Sequence, residues 1–224
     1  MDYESLYILY QSRKTLLKIL AGRGYTTTPF EKFGPLEIAA MAAAGGNEAF
    51  QMDLERTPEA ATEHSNTKIT KCRVVYSAMR SIKNRLAGFI NELLEDKGDA
   101  TLDPETTEVI VILAMDAIAD TFNQAALSAY TNSKLRIAFF QAAQLVNNPL
   151  EHVLVPKHER MPRSEHKNFL KDQKIKSPLN LPKIIFHEDM IARLLGLVPG
   201  DIVKITRPSP TAGEYVYYRR CAVA

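Results

Sequence analysis

Apolar residues recur along the first part of this chain with helical and strand periods in alternation. Apolar positions three and four residues apart predict helices over residues 4–21, 35–44, 81–94 and 116–130. Short apolar runs predict strands at residues 72–76, 108–113 and 135–140. The polar, proline-containing stretch 51–70 is interpreted as a loop or a poorly ordered insertion.

The order strand, helix, strand, helix, strand predicts a small parallel sheet with right-handed crossovers and helices packed on it. Residues Glu108 to Leu113 are apolar almost throughout, which is typical of a strand that is buried on both faces. The run Gly22-Arg23-Gly24 is expected to end the first helix. The first part of the chain is therefore predicted to be an α/β domain over residues 1–147.

Residues 148–224 have shorter elements and more turns, and they predict a second, compact α+β domain. Ser164 is expected to cap a short helix, and Ile184 to Phe186 to form a short strand. A helix over Glu188 to Leu195 is expected to stop at Gly196 in a left-handed conformation. Alternating residues from Ile202 to Arg207 and from Tyr215 to Arg219 then predict a hairpin around a proline-rich loop.

Composition places the chain among ordinary globular proteins. Of its 224 residues, 46% are hydrophobic and 24% are charged, and the net charge is only +2. Residues 149–224 hold 13 Lys and Arg against 8 Asp and Glu, a mild excess that a solvated surface explains as well as nucleic-acid affinity does. Cys72 and Cys221 do not make a disulfide framework, so we expect a reducing compartment. No apolar run is long enough to span a bilayer, and we expect no membrane partner.

Five ordered motifs between His152 and Arg219 resemble one known domain. They read His-x-Leu-Val-Pro-Lys-His from residue 152, Leu-Pro-Lys-Ile from 181, Ala-Arg-x-x-Gly-Leu from 192, Gly-x-x-Val-Lys-Ile from 200, and Arg-x-Ser-x-Thr-Ala-Gly-x-Tyr-x-x-Tyr-Arg from 207. This pattern is similar to the assembly domain shared by the fifth-largest subunit of eukaryotic nuclear RNA polymerases and its short archaeal counterpart. One departure is Asp189-Met190, where that family tends to have Asp-Pro.

The resemblance implies a subunit of a multisubunit DNA-dependent RNA polymerase that catalyses nothing itself and docks on the largest polymerase subunit. It implies no cofactor and no metal in this chain. The residues expected to bind the partner are His152, Pro156, His158, Arg193, Gly196, Gly200, Lys204, Arg207, Thr211, Gly213, Tyr215 and Arg219. Some of these, above all the glycines, are expected to hold the fold rather than touch a partner.

The helix that ends in Gly22-Arg23-Gly24-Tyr25 resembles the start of the eukaryotic subunit, which the archaeal one lacks. In that family the N-terminal half is a jaw domain near downstream DNA, so DNA is a further expected partner. The family's Thr-Pro-Ser-Ala segment is replaced here by Ala114-Met115-Asp116-Ala117, where Asp116 would repel phosphate. The cations considered for phosphate contact are Lys83, Arg85, Lys134 and Arg136.

Weak matching in the first half against strong matching in the second suggests a diverged copy, and we hypothesise an origin in a large DNA virus. The expected location is the nucleus or, for a viral protein, the virion or a cytoplasmic viral factory.

Two other functions stay open. A stand-alone interaction or chaperone module would use the same assembly domain without a polymerase. A metal-dependent nuclease would use Glu108 and Asp116, which flank one predicted strand, although the next strand offers no acid beside its lysine. A zinc site is disfavoured because His152, His158 and His166 have no cysteine pair nearby.

Overall fold

The computed structural model describes residues 3–44, 50–58, 60, 68–77, 86–94, 102–114 and 120–223. Within these ranges the chain divides into two compact units, one with the residues up to Asn148 and one from Pro149 onward. Both units mix helices with strands. The first has its sheet covered on both faces, and the second is built around a long hairpin.

The first unit contains helices α1 (Tyr3–Gly22), α2 (Pro35–Ala44), α3 (Leu86–Leu94) and α4 (Asp120–Ser133), and strands β1 (Met52–Glu55), β2 (Lys71–Ser77), β3 (Thr107–Leu113) and β4 (Arg136–Gln141). The predicted end of α1 at Gly22 is confirmed. The predicted N-terminal turns of the third and fourth helices, residues 81–85 and 116–119, and the glycine pair at 45–46 lie outside the described residues.

The first sheet has the strand order β1-β2-β3-β4. As predicted, β2, β3 and β4 are parallel, with Cys72 paired to Glu108 and Glu108 to Arg136. The interpretation of residues 51–70 as a loop was wrong in part, because β1 pairs antiparallel to β2 and makes the sheet mixed. The segment alternates buried Met52 and Leu54 with exposed acids, which is a strand pattern too short to stand out.

Each face of this sheet packs on different helices. Every residue of β3 is buried, as the apolar run predicted. Val109, Val111 and Leu113 point to a core made with α3 and α4, in which the rings of Phe122 and Phe139 lie with their centroids 5.2 Å apart. The alternate positions include Glu108, whose fully buried side chain pairs with Arg23, the residue that directly follows α1.

The second unit contains β5 (Lys157–Arg160), α5 (Arg163–Asp172), β6 (Lys183–Ile185), α6 (Met190–Leu195), β7 (Ile202–Ser209) and β8 (Gly213–Ala222). Its sheet has the order β5-β7-β8-β6, in which β8 pairs antiparallel to β7 and parallel to β6. Phe169 of α5 packs on Tyr218 of β8, with ring centroids 4.2 Å apart, over a small core with Leu181 and Ile202.

The helix ends of the second unit correct one prediction and confirm another. Ser164 does not cap α5, because the helix already begins at Arg163. Pro162 occupies the N-cap position, with its φ restricted by the ring to −58°. Gly196 ends α6 with φ 68°, as predicted. Asp189 caps α6 by accepting a bond from the Ala192 amide at 3.0 Å, so the helix starts without the proline of the related family.

Candidate partner-binding surface

The β7–β8 hairpin extends beyond the strands that flank it. β5 pairs only as far as Thr206, and β6 pairs only from Arg220 onward, so the intervening part of the hairpin has no neighbour strand among the described residues. The last pair of the ladder is Ser209 with Gly213. Gly213 has φ +73°, a conformation that favours glycine in the tight connection.

One face of the hairpin carries an arginine on two tyrosine rings. The Arg207 guanidinium carbon lies 5.3 Å from the centroid of the Tyr215 ring and 5.9 Å from that of Tyr217. The two rings stack at 25° with centroids 5.9 Å apart. Tyr215 is half exposed and Arg207 is exposed. This arginine–tyrosine stack offers a partner a flat apolar surface with positive charge. Tyrosine and arginine are among the residues that dominate protein interfaces.

A second exposed feature is the turn that follows His152. Val153 and Leu154 are 96% and 83% exposed, which is unusual for two adjacent aliphatic residues. The turn is held by the Val155 amide, which donates to the His152 carbonyl at 2.8 Å, and by the Leu154 amide, which donates to His152 Nδ1 at 3.2 Å. His152 therefore shapes the turn that presents the two apolar side chains.

Sequence reasoning missed part of this exposed surface. Val153, Leu154 and Leu179 were not among the predicted partner-binding residues, yet all three are exposed, Leu179 by 71%. The available signal was weak: each lies within three residues of a proline, where a regular strand is not expected to form.

The twelve predicted residues fall into three groups. The exposed ones are His152, Gly200, Arg207, Thr211, Gly213 and Tyr215. The partly buried ones are Pro156, His158, Lys204 and Arg219. The buried ones are Arg193 and Gly196. Partner binding by these residues stays a prediction, and we assign the last two to the fold because little of either residue reaches the surface of the unit.

A buried ion pair holds the base of the hairpin. The Asp201 carboxylate is fully buried, pairs with the Arg160 guanidinium at 2.7 Å and accepts a bond from the Val198 amide at 3.0 Å. His158 lies on the same strand as Arg160 and contacts the Pro156 carbonyl through Nδ1 at 2.6 Å. The Arg160–Asp201 pair therefore connects β5 to the turn that precedes β7, whereas the His158 contact stays within its own segment.

In the first unit, three arginines surround one buried glutamate. Glu108 accepts a bond from the Tyr25 hydroxyl at 2.7 Å and pairs with Arg136 at 2.6 Å, and it also pairs with Arg23. Arg56 donates to the Tyr25 hydroxyl at 3.2 Å and lies over its ring. Burial alone would raise the pKa of Glu108, but Arg23 and Arg136 outweigh it and lower that pKa to about 2.

This cluster corrects two hypotheses. Arg136 is 1% exposed and paired with Glu108, so it is not available for phosphate. Glu108 has its oxygens occupied by guanidinium and hydroxyl donors, which excludes it as a ligand of a catalytic metal. The Arg23-Gly24-Tyr25 motif therefore has a structural role, as the part of the chain after α1 that closes over β3.

The other candidates for nucleic-acid contact differ in what the structure says of them. Lys134 is exposed at a positive φ of 61° and lies 5.5 Å from the centroid of the Tyr130 ring. Lys83, Arg85 and Asp116 lie outside the described residues. Among the residues that are described, no three His, Cys, Asp or Glu side chains converge as a metal site. The helices of this part of the chain include none with the length and hydropathy of a membrane span.

The second unit of the chain matches a known protein family. The family model described as RNA polymerase Rpb5, C-terminal domain, matches residues 147–221. The Rpo5 subunit of DNA-directed RNA polymerase from Methanosarcina barkeri is 51% identical over 70 residues, which make up 87% of that protein. The chain belongs to the Rpb5/Rpo5 family.

Eukaryotic relatives match nearly the whole chain. The subunit rpabc1 of DNA-directed RNA polymerases I, II and III from Dictyostelium discoideum is 29% identical over 97% of this chain and 99% of its own length. The corresponding subunit from Caenorhabditis elegans is 27% identical over 97% of both chains. The similarity of this Rpb5/Rpo5 chain to eukaryotic relatives thus includes the first unit, whereas the archaeal match covers 31% of the chain.

Proposed function

We propose that this protein is a non-catalytic subunit of a multisubunit DNA-directed RNA polymerase and acts in transcription. Its second unit docks on the largest polymerase subunit, and its first unit helps to shape the cleft for downstream DNA. Phosphodiester chemistry and its Mg²⁺ belong to other subunits of the complex.

The observation that carries this proposal is the agreement between family and surface. The segment matched as the C-terminal domain of Rpb5, residues 147–221, contains both exposed features. These are the turn at Val153 and Leu154 and the arginine–tyrosine stack on the hairpin. An isolated globular unit gains nothing from exposing these apolar and aromatic side chains, whereas a subunit buries them on assembly.

The buried glutamate cluster argues against a nuclease, whereas the exposed surface is compatible with a stand-alone interaction module. A nuclease would need Glu108 free to bind a metal, and this side chain is fully buried in an arginine cluster. A stand-alone interaction module would use the same hairpin, so only the identity of the partner distinguishes it. We propose the nucleus as the location of a cellular protein, and the virion or a cytoplasmic viral factory as that of a viral one.

The test is affinity purification of the tagged full-length protein from its native source at moderate salt, followed by mass spectrometry. We expect the two largest polymerase subunits in equal amounts with the bait. Their sequences also separate a nuclear polymerase from a viral one. A preparation that holds other proteins but no polymerase subunit would support the stand-alone module instead.

A paired variant makes this test specific for the second unit. Tyr215→Ser removes the exposed ring of the arginine–tyrosine stack, and we expect the polymerase subunits to be lost from the preparation. Lys134→Ser changes an exposed residue of the first unit and serves as the control that should retain them. Equal recovery with both variants would show that the arginine–tyrosine stack is not part of the docking surface.

A further inference from the structure

The outer edge of β8 is open between the tip of the hairpin and Arg220. Because Arg220 donates its amide to the Pro182 carbonyl at 2.8 Å, on the β6 side, its backbone groups point away from β7. Backbone direction alternates along a strand, so the groups of Tyr218, Val216 and Glu214 point to the same outer side.

Most of these outward groups have no backbone partner within the described part of the chain. The Glu214 amide donates to the Ala212 carbonyl at 2.8 Å. Among the described residues, no backbone bond reaches the amides and carbonyls of Val216 and Tyr218 or the Glu214 carbonyl. Val216, at the centre of this edge, is 39% exposed.

A proline explains where the β6–β8 ladder stops. If the ladder continued by one step, the amide of residue 182 would donate to the Tyr218 carbonyl, but Pro182 has no amide hydrogen. The ladder therefore starts at Lys183 and leaves the β8 edge free from Tyr218 to the tip.

The two edges of the hairpin differ in their protection. On β7, the Ile202 carbonyl accepts the Met161 amide on the β5 side, so the even-numbered residues of β7 face outward, and Pro208 is one of them. Pro208 cannot donate to an added strand, and proline is a usual means of blocking a sheet edge. Residues 214–218 of β8 read Glu-Tyr-Val-Tyr-Tyr, which has high strand propensity and no proline or glycine.

Charge around the open edge indicates the composition of an occupant. Arg207 is exposed on the hairpin, and Lys183 is exposed at the start of β6. Arg219 is partly buried and donates to the Lys183 carbonyl at 3.1 Å. Over strands β6, β7 and β8 together, five Lys and Arg residues stand against a single acid, Glu214. A segment that carries acidic residues would complement this edge.

We propose that the β8 edge over residues 214–218 takes up an extended, acidic, proline-free segment of another polymerase subunit as an added β-strand. Backbone bonds to Val216 and Tyr218 provide the register, and the Tyr215 and Tyr217 rings receive the side chains on one face. This inference rests on the proposed function and specifies the way in which the second unit docks.

Hydrogen exchange tests the inference on the protein as it exists, free and in the purified complex. In the free protein, we expect the β7-facing amides of Tyr215 and Tyr217 to be protected and the amides of Val216 and Tyr218 to exchange fast. On assembly, we expect exchange at Val216 and Tyr218 to slow by at least about tenfold. Unchanged fast exchange at these two amides, in a complex that contains the polymerase subunits, would overturn the inference and leave the proposed function standing.

Two variants at one position give an independent readout. Val216→Pro removes an outward amide hydrogen that has no backbone partner among the described residues, whereas Val216→Ala removes most of the side chain and keeps the amide. We expect recovery of the partner subunits to fall by about tenfold or more with Val216→Pro and to stay near that of the unchanged protein with Val216→Ala. Equal recovery with both variants would contradict an added strand.

Two further outcomes would also overturn the inference. A dimer of the free protein with Val216 and Tyr218 already protected would identify a second copy of this chain as the occupant. Retrieval of no polymerase subunit by the unchanged protein would remove the proposed function and the inference with it. If Val216→Pro does not fold, as judged by circular dichroism, the exchange measurement decides alone.

Discussion

Glu108→Gln is the substitution that tests the buried cluster of the first unit most directly. It keeps the size and shape of the side chain but removes the carboxylate that Arg23 and Arg136 share. The pKa of Glu108 falls from its ordinary value of 4.5 to about 2 in the folded protein. At about 1.36 kcal/mol per pKa unit, this corresponds to about 3 kcal/mol of folding free energy at neutral pH. The cost of leaving a buried ion pair without one partner is of the same order, roughly 3–5 kcal/mol.

Urea unfolding followed by far-ultraviolet circular dichroism measures this loss. The matched control is Asp53→Asn on strand β1 of the same sheet, because Asp53 pairs with Arg73 at 2.7 Å but is 57% exposed. An exposed pair contributes at most about 1 kcal/mol. We expect the first unit to lose about 3 kcal/mol with Glu108→Gln and less than about 1 kcal/mol with the control.

The pH dependence of unfolding tests the same substitution in a second way. A carboxylate with a depressed folded-state pKa contributes stability above its unfolded value, and this contribution disappears as the pH falls from about 4.5 towards 2. The difference in stability between the unchanged protein and the Glu108→Gln variant should therefore shrink over that range. A difference below about 1 kcal/mol at neutral pH, or one that does not change as the pH falls to about 3, would refute the reasoning.

Three further predictions concern the second unit. Burial lowers the pKa of His187, so the folded protein favours the neutral imidazole and loses stability as the pH falls below about 6.5. In the His187→Leu variant, the urea midpoint should therefore decline less between about pH 6.5 and 5 than it does in the unchanged protein. Gly213→Ala should cost about 1 kcal/mol in thermal unfolding, because φ is +73° and no atom crowds the added carbon, whereas Gly213→Asn should cost less. Leu154→Asp should leave the melting temperature unchanged, since the side chain is 83% exposed, but should reduce co-purification of polymerase subunits.

Local patterns predicted the elements that depend on neighbours in sequence. The apolar stripe and glycines that end α1, the wholly buried strand β3, the left-handed Gly196 and the alternating strands of the hairpin all follow from spacing within a few residues. Strand β1 escaped because four residues with two acids make too short a pattern to outweigh the polar stretch around them.

The candidate surface was predicted in part for the same reason. The motifs identified Arg207, Gly213 and Tyr215, which lie on the exposed hairpin. They could not separate these from Arg193 and Gly196, which are buried, because burial depends on what packs over a residue rather than on the residue itself.

The order of most elements, the position of the hairpin and the family resemblance of the second unit could all be predicted from the pattern of residues along the chain. The clustering of Arg23, Arg56 and Arg136 around Glu108, and the open edge of β8, became visible only in the folded protein. Helix and strand periods are set by contacts between residues close in sequence, which a pattern records directly. Ion pairs and strand edges join positions tens of residues apart, and these are settled by the register of the sheet and by what the folded chain leaves uncovered.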